Sequence, residues 1–172
     1  TAIILAGGKG TRLAPWPAPK CLLPINGVPI LHRLLNHILV HVNDVYVCVG
    51  YRGGDVKMSI RSASFIGINF SDSGEDASMG LRLLQVRTNL PEDRRVLICY
   101  GDDLADVDIS KLLDRHGDCP GMTFTAAYAN TAGGTVDIDA DGSPHIVDEA
   151  RRVINIGFVI VEPACWAQLK PE

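Results

Sequence analysis

The sequence predicts an α/β fold, a Rossmann-like three-layer sandwich with a mostly parallel central sheet. Short apolar runs alternate along the chain with segments of helical periodicity, which is the pattern of βαβ units. The clearest runs are apolar at nearly every position, as in strands that are covered on both faces. The length of 172 residues suits one domain of this class. We therefore expect residues 1–172 to form a single domain.

The strands are predicted from apolar or alternating runs that end at glycine, proline or polar turns. In chain order they are Ala2–Ala6, Val45–Val49, Gly67–Phe70, Val96–Tyr100, Met122–Tyr128, Thr135–Ile138 and Val153–Val161. The helices are predicted from apolar residues at i, i+3 and i+4 spacing. They are Pro29–Val42, Asp55–Ser62, Ser78–Thr88 and Ile109–His116. Right-handed crossovers would place the strand-to-helix loops on one edge of the sheet, where such folds bind their ligands.

Composition excludes several classes of function. Hydrophobic residues make up 47% and charged residues 21%, which is ordinary for a globular protein. The 16 Lys and Arg against 20 Asp and Glu give a net charge of −4. We therefore expect neither nucleic acid nor a membrane surface as a partner, although anionic small molecules remain possible. The five cysteines are odd in number and form no C-x-x-C pair, which favours reduced thiols and a cytoplasmic location.

A glycine-rich loop follows the first predicted strand directly. Gly7, Gly8 and Gly10 let the backbone turn with its N–H groups pointing at one locus, and such a nest binds phosphate oxygens. Arg12 adds a guanidinium fork for bidentate phosphate contact, and Lys20 adds a mobile point charge. The loop matches neither a Walker loop nor a dinucleotide fingerprint.

A lone carboxylate stands at the end of another predicted strand. Asp102 follows the apolar run Val96–Tyr100 and a glycine. An oxygen ligand in such a place suits Mg²⁺, which takes its other ligands from phosphates and water. Asp103 and Asp106 are nearby, while Asp108 is predicted to cap the next helix. Because both loops follow strands, Asp102 is expected to meet the glycine loop at one edge of the sheet.

The run Leu5-Ala6-Gly7-Gly8-Lys9-Gly10-Thr11-Arg12-Leu13, followed by Pro19-Lys20, resembles the signature of the sugar-phosphate nucleotidyltransferases. Residues 73–83, 100–109 and 155–158 resemble the branch of that family that transfers a cytidylyl group to glucose 1-phosphate. The resemblance implies transfer of a nucleoside monophosphate, with CTP favoured as donor, to a sugar 1-phosphate. Pyrophosphate would leave, an NDP-sugar would form, Mg²⁺ would be the cofactor, and a homo-oligomer is possible.

The resemblance also implies roles for individual residues. Arg12, Lys20 and Asp102 would be catalytic, with Asp102 also holding the metal. Lys20, Asp102, Glu149 and Asn155 would contact the sugar phosphate. The nucleotide would be bound by Leu5, Ala6, Gly7, Gly8, Gly10, Thr11, Arg12, Gly74, Gly80 and Arg82.

The chain departs from the family pattern in two places. Glu149 is followed by Ala150, Arg151 and Arg152 instead of Lys-Pro. The family also supplies a second metal-binding Asp from a later region, and nothing after Asn155 matches it, so the chain is expected to lack the family's C-terminal region. These departures leave two alternatives open. One is cytidylyl or uridylyl transfer to a phosphorylated acceptor other than a sugar, and the other is a non-catalytic module that binds nucleotide sugars.

Overall fold

The structure is a computed structural model of the chain. The structure describes residues 1–13, 15–130, 135–139, 141, 143–147 and 151–169. The described strands are β1 (Ala2–Leu5), β2 (Pro24–Ile25), β3 (Val28–Pro29), β4 (Val45–Val49), β5 (Ile68–Asp72), β6 (Val96–Tyr100), β7 (Met122–Asn130), β8 (Thr135–Ile138), β9 (Pro144–Val147) and β10 (Arg151–Val161). The described α-helices are α1 (Ile30–Ile38), α2 (Gly53–Ser62), α3 (Met79–Arg87) and α4 (Ile109–His116).

Six strands form the central sheet, in the order β5-β4-β1-β6-β10-β7. Strands β5, β4, β1 and β6 are mutually parallel, while β10 pairs antiparallel with both β6 and β7. In register, Leu5 at the end of β1 lies opposite Cys48 of β4 and Tyr100 of β6. The loops that follow β1, β4 and β6 therefore leave the sheet side by side. The predicted mostly parallel sheet is confirmed.

Helices cover both faces of the sheet, which confirms the three-layer arrangement. Side chains alternate along β1, so Ile4 packs on one face and Ile3 on the other. The first face is covered by α1, α2 and α4, with Leu34 of α1 at its centre. The second is covered by α3, through Leu83, and by the 3₁₀ helix Pro163–Gln168, through Trp166. Burial of these apolar side chains is the main force that fixes the sheet between the helices.

The structure corrects the predicted boundaries in several places. Helix α1 is shorter than predicted and ends at Ile38, after which the His41 N–H donates to the Ile38 carbonyl oxygen in a turn (2.9 Å). The hairpin β2–β3 and the strand β9 are additional elements. The Thr135–Ile138 strand does not join the central sheet but pairs with β9. In the described part of the chain, no helix has the length and apolar character needed to cross a membrane.

Candidate functional site

A cleft of about 750 Å³ opens at the carboxyl ends of β1 and β6. This is the edge at which open parallel sheets bind ligands. The cleft is lined by Leu5, Ala6, Gly7, Gly8, Gly10, Thr11, Arg12, Leu13, Lys20, Cys21, Glu75, Ala77, Met79, Arg82, Tyr100, Asp102 and Asp103. The structure therefore brings together the glycine loop and Asp102, as the sequence predicted.

The glycine loop forms the wall of the cleft above β1. Gly10 has a φ of +60°, and a Cβ there would lie 3.0 Å from the Cβ of Lys20, so the turn and the packing both call for glycine. The next residues form a short 3₁₀ helix, Thr11–Leu13, whose Leu13 N–H donates to the Gly10 carbonyl oxygen (2.9 Å). This turn presents the exposed Thr11 and Arg12 at the cleft.

Lys20 and Asp102 form an ion pair across the cleft. The Lys20 Nζ lies 2.5 Å from Asp102 Oδ2, and each side chain is about one third exposed (32% and 33%). Lys20 begins a 3₁₀ helix, Lys20–Leu22, and Asp102 follows β6, so the pair joins two distant segments. Gly101 allows the ends of β6 and β1 to lie close together, because a Cβ at that position would lie 3.0 Å from the Cβ of Ala6.

Two further groups at the cleft have shifted pKa values. Burial raises the pKa of Asp103, and the neighbouring Asp102 carboxylate raises it further, while Lys20 acts in the opposite direction. Burial also raises the pKa of the Cys21 thiol to about 12, with a smaller contribution from Asp102. Cys21 is therefore protonated at neutral pH, and its thiol faces the Ala6 carbonyl oxygen at 3.9 Å. It is a packing group and not a nucleophile.

The residues around Asp102 fit a magnesium ion that takes only one or two ligands from the protein. No group of three or more His, Cys, Asp or Glu side chains with metal-binding geometry occurs among the described residues. Mg²⁺ does not need such a cage, since it is commonly bound by one or two carboxylates together with phosphate oxygens and water. The Asp102 Oδ2 atom already faces a cation, the Lys20 ammonium. The Asp102 carboxylate therefore suits a Mg²⁺ ion that takes its remaining ligands from phosphate oxygens and water.

The flank of the cleft near β5 is built from the segment that leads into α3. The sequence predicted Gly74 and Gly80 at the nucleotide, but the lining residues of this segment are Glu75, Ala77 and Met79. Met79 stands at helical spacing from the buried Leu83 and Val86, but it is 53% exposed. Helical spacing does not distinguish a first-turn residue over a cleft from one over the core.

Arg82 lies at the back of this flank and is 5% exposed. Its guanidinium donates to main-chain carbonyl oxygens, among them Gly74 at 2.8 Å and Gly7 at 3.4 Å. The predicted nucleotide contact of Arg82 stays a prediction, and the structure adds a role in joining two loops. Above it, the Lys9 Nζ and Asp76 Oδ1 form an exposed ion pair of 2.7 Å.

Of the residues predicted to contact the sugar phosphate, Lys20 and Asp102 line the cleft, whereas Asn155 does not. Asn155 is in β10, where its Oδ1 accepts from the Gly157 N–H (2.9 Å) at an irregularity of the strand. Asn155 is not among the cleft-lining residues. A Cβ at Gly157 would lie 2.5 Å from Asp103 Oδ2, so this irregularity meets the cleft through Asp103. Glu149 lies outside the described residues.

The fold and this cleft define an α/β protein of the Rossmann-like class with a candidate ligand site at the ends of its parallel strands. Residues 2–166 match the model of the MobA-like NTP transferase domain, and the chain belongs to that family. The chain is thus a member of a nucleotidyltransferase family.

Its relatives act on sugar phosphates with different nucleotides. It is 28% identical to a glucose-1-phosphate cytidylyltransferase of Salmonella typhi, over 95% of this chain and 75% of that protein. It is also 32% identical to a mannose-1-phosphate guanylyltransferase of Mycobacterium tuberculosis, over 67% of this chain and 33% of that protein.

Solved structures show the same fold. HddC from Yersinia pseudotuberculosis, crystallised with GMP-PN, matches with a TM-score of 0.74 at 22% identity, over 95% of this chain and 76% of that one. A putative glucose-1-phosphate thymidylyltransferase from Bacillus anthracis also gives 0.74, at 20% identity, over 99% of this chain and 76% of that one.

Proposed function

We propose that this protein transfers a nucleoside monophosphate from a nucleoside triphosphate to a sugar 1-phosphate. The observation that carries the proposal is the convergence of the glycine loop, Arg12 and the Lys20–Asp102 pair around one cleft. Membership of a nucleotidyltransferase family whose named relatives use sugar 1-phosphates supports it.

The proposed reaction is a direct displacement at phosphorus. A phosphate oxygen of the sugar 1-phosphate attacks the α-phosphorus, and a new P–O bond forms. The bond between the α-phosphorus and the oxygen bridging to the β-phosphate breaks, so pyrophosphate leaves with that electron pair. No protein nucleophile is needed, which agrees with the inert, protonated thiol of Cys21. The product is an NDP-sugar.

The protein's contribution is positioning and charge stabilisation. The glycine loop would hold the triphosphate, and Arg12 would bind it with two parallel N–H donors. Lys20 would release Asp102 and stabilise charge that develops on the reacting phosphates. A bound Mg²⁺, held by Asp102, would neutralise phosphate charge. Closely spaced, preorganised cations are the main source of rate enhancement in phosphoryl and nucleotidyl transfer.

For the nucleotide we propose CTP as the favoured donor. The cytidylyltransferase relatives align over 95% of this chain, whereas the guanylyltransferase aligns over 67%. Cytosine and uracil differ at the 4-position, where cytosine offers an amino donor. Acceptors in the segment 74–79 that Arg82 does not use, such as the Glu75 carboxylate, would bond to that amino group and oppose the uracil oxygen.

The test is pyrophosphate release by the whole chain, with Mg²⁺, across a panel of five triphosphates (CTP, UTP, dTTP, GTP and ATP). Each is paired with glucose 1-phosphate, mannose 1-phosphate and phosphocholine as acceptors. Release that requires a sugar 1-phosphate would support the proposal. Pyrophosphate release with phosphocholine alone would show that the acceptor is not a sugar phosphate. A chain that binds nucleotide but releases no pyrophosphate with any acceptor would favour the non-catalytic module.

A further inference from the structure

The side chain of Arg82 is a buried cation whose partners are main-chain carbonyl oxygens. It is 5% exposed, and a charge in such a place is costly unless polar atoms replace its water. All three guanidinium nitrogens donate to carbonyl oxygens: Nε to Ala77 at 3.2 Å, Nη1 to Val49, and Nη2 to Gly74 at 2.8 Å, Glu75 at 3.3 Å and Gly7 at 3.4 Å. The guanidinium is thus bound by the protein backbone itself.

Two glycines leave the space that this guanidinium occupies. A Cβ at Gly7 would lie 2.1 Å from Arg82 Nη1, and one at Gly50 would lie 2.3 Å from the same atom. Neither glycine has a positive φ, so neither backbone conformation requires glycine. The guanidinium therefore explains why both positions are glycine. We call the space that it fills, between Gly7, Gly50 and the carbonyls of 74–77, the Arg82 socket. By contrast, a Cβ at Gly54 would meet nothing within 4 Å.

The socket joins three segments at the rim of the cleft. Gly7 belongs to the glycine loop, and the carbonyls at 74–77 belong to the segment before α3. Val49 is the last residue of β4, and Gly50 follows it. Both the segment before α3 and the glycine loop line the cleft, as two walls that Arg82 joins. Because α3 is anchored in the core by Leu83 and Val86, Arg82 projects from a fixed helix.

We propose that Arg82 is a positioning residue that sets the distance between the phosphate-binding loop and the base-facing segment. This inference rests on the proposed function, because those two walls are assigned to the two ends of a nucleoside triphosphate. A fixed separation of the two walls raises the affinity of a ligand that contacts both of them. It does not raise the affinity of a ligand that contacts only one. In this role the cation acts through the two loops that its guanidinium joins.

The test compares a whole ligand with its two parts. Dissociation constants for CTP, CMP and inorganic tripolyphosphate are measured by calorimetry with Mg²⁺, for the wild-type chain and for Arg82→Lys. Lysine keeps the charge but cannot donate to three segments at once. We expect CTP to bind about tenfold more weakly or worse, while CMP and tripolyphosphate each change by less than about threefold.

A glycine pair supplies a second variant and its matched control. Gly50→Ala fills the socket while Arg82 is retained, and Gly50 does not line the cleft. It should reproduce the selective loss of CTP affinity. Gly54→Ala, four residues further along, should change none of the three constants by more than about twofold, because its Cβ meets open space.

Other outcomes would overturn the inference. If Arg82→Lys weakens tripolyphosphate or CMP as much as CTP, the guanidinium contacts the ligand or supports the fold in general. If Gly50→Ala leaves CTP affinity unchanged, the socket has no part in binding. A wild-type chain that binds all three ligands but forms no NDP-sugar would refute the proposed function and leave this inference standing. Failure to bind any of the five triphosphates would refute both.

Discussion

The three residues with proposed catalytic roles differ in how far their side chains are paired and buried. Lys20 and Asp102 hold one another, each about two thirds covered, whereas Arg12 lies exposed on a short 3₁₀ turn. An exposed, planar guanidinium is free to take up a phosphate, and a paired lysine must first be exchanged from its carboxylate. Their placement at one cleft was predicted from the sequence, because the glycine loop and Asp102 follow strands whose ends meet at one edge.

Asp102→Asn should nearly abolish turnover without unfolding the chain. Asparagine is close in shape, but it removes the charge that pairs with Lys20 and that would hold Mg²⁺. We expect kcat to fall by about 10²-fold or more at limiting Mg²⁺. Steady-state kinetics, with circular dichroism as the check on folding, measure this. Wild-type rates in the variant would remove Asp102 from the site.

Arg12→Lys should not behave as a conservative change. A fork that can donate two parallel hydrogen bonds becomes a single point charge. We expect kcat/KM for the triphosphate to fall by about 10²-fold, on the scale of losing one preorganised donor. A matched control is Arg61→Lys, because Arg61 lies on α2 against the Phe70 ring and does not line the cleft. A loss of less than about threefold in Arg12→Lys would place Arg12 outside the reaction.

Asp103→Asn should stabilise the protein at neutral pH. Burial and Asp102 raise the pKa of Asp103 in the folded chain, so the folded state favours the protonated carboxyl. At acid pH the carboxyl is protonated in both states and costs no stability. As the pH rises, ionisation of Asp103 becomes less favourable in the folded state than in the unfolded state, which lowers the free energy of unfolding. The amide cannot ionise and avoids the penalty. Urea denaturation at pH 7 should give the variant the higher free energy of unfolding, and the difference should shrink towards pH 4. A less stable variant at pH 7 would contradict the argument.

At the scale of single elements, the long apolar segments were predictable and the short ones were not. The hairpin β2–β3 has two residues in each strand, too few for any periodicity. Its turn is nevertheless visible in the sequence, because Asn26 (φ 49°) and Gly27 (φ 75°) form the Asn-Gly pair that favours a type I′ turn. The strands β7 and β10 were found but lengthened by mutual pairing.

The N-terminus of α3 offers a stability test at this scale. The Ser78 Oγ accepts from the Leu81 N–H at 3.1 Å and caps the helix that carries Arg82. Ser78→Ala should lower the free energy of unfolding by about 1 kcal/mol, because one helical N–H loses its partner. Ser78→Thr keeps the acceptor and should cost less than half of that amount. Equal losses in the two variants would mean that the cap is not what stabilises this end.

At the scale of the whole molecule, the sequence predicts the edge of the sheet where the site lies. It does not predict the buried contacts that support the site. Parallel strands put the glycine loop beside Asp102, and this follows from topology alone. The Arg82 socket depends on Gly7 and Gly50, which are 75 and 32 residues away from it in sequence. Asp103 is placed against Gly157 in the same way. Such contacts form only when distant segments pack together, so no local sequence pattern predicts them.

The choice of nucleotide is also a property of the whole cleft. If acceptors in the segment 74–79 read an amino group, CTP should bind more tightly than UTP, and both more tightly than ATP and GTP. The reason is that a mismatched base leaves buried polar groups unpaired, and a purine does not fit a pyrimidine site. Competitive calorimetry with Mg²⁺ measures the order. Equal or tighter binding of UTP, dTTP or GTP would reject CTP as donor while leaving the reaction class intact.

The most direct test of nucleotidyl transfer follows the oxygen atoms. Glucose 1-phosphate labelled with ¹⁸O in its non-bridging phosphate oxygens is incubated with CTP, Mg²⁺ and the whole chain, and the products are examined by ³¹P NMR and mass spectrometry. If a sugar phosphate oxygen attacks the α-phosphorus, all of the label stays in the NDP-sugar, one labelled oxygen bridges the two phosphorus atoms, and the pyrophosphate carries none. Label in the pyrophosphate or in free phosphate, or no NDP-sugar with any triphosphate, would contradict the proposed function.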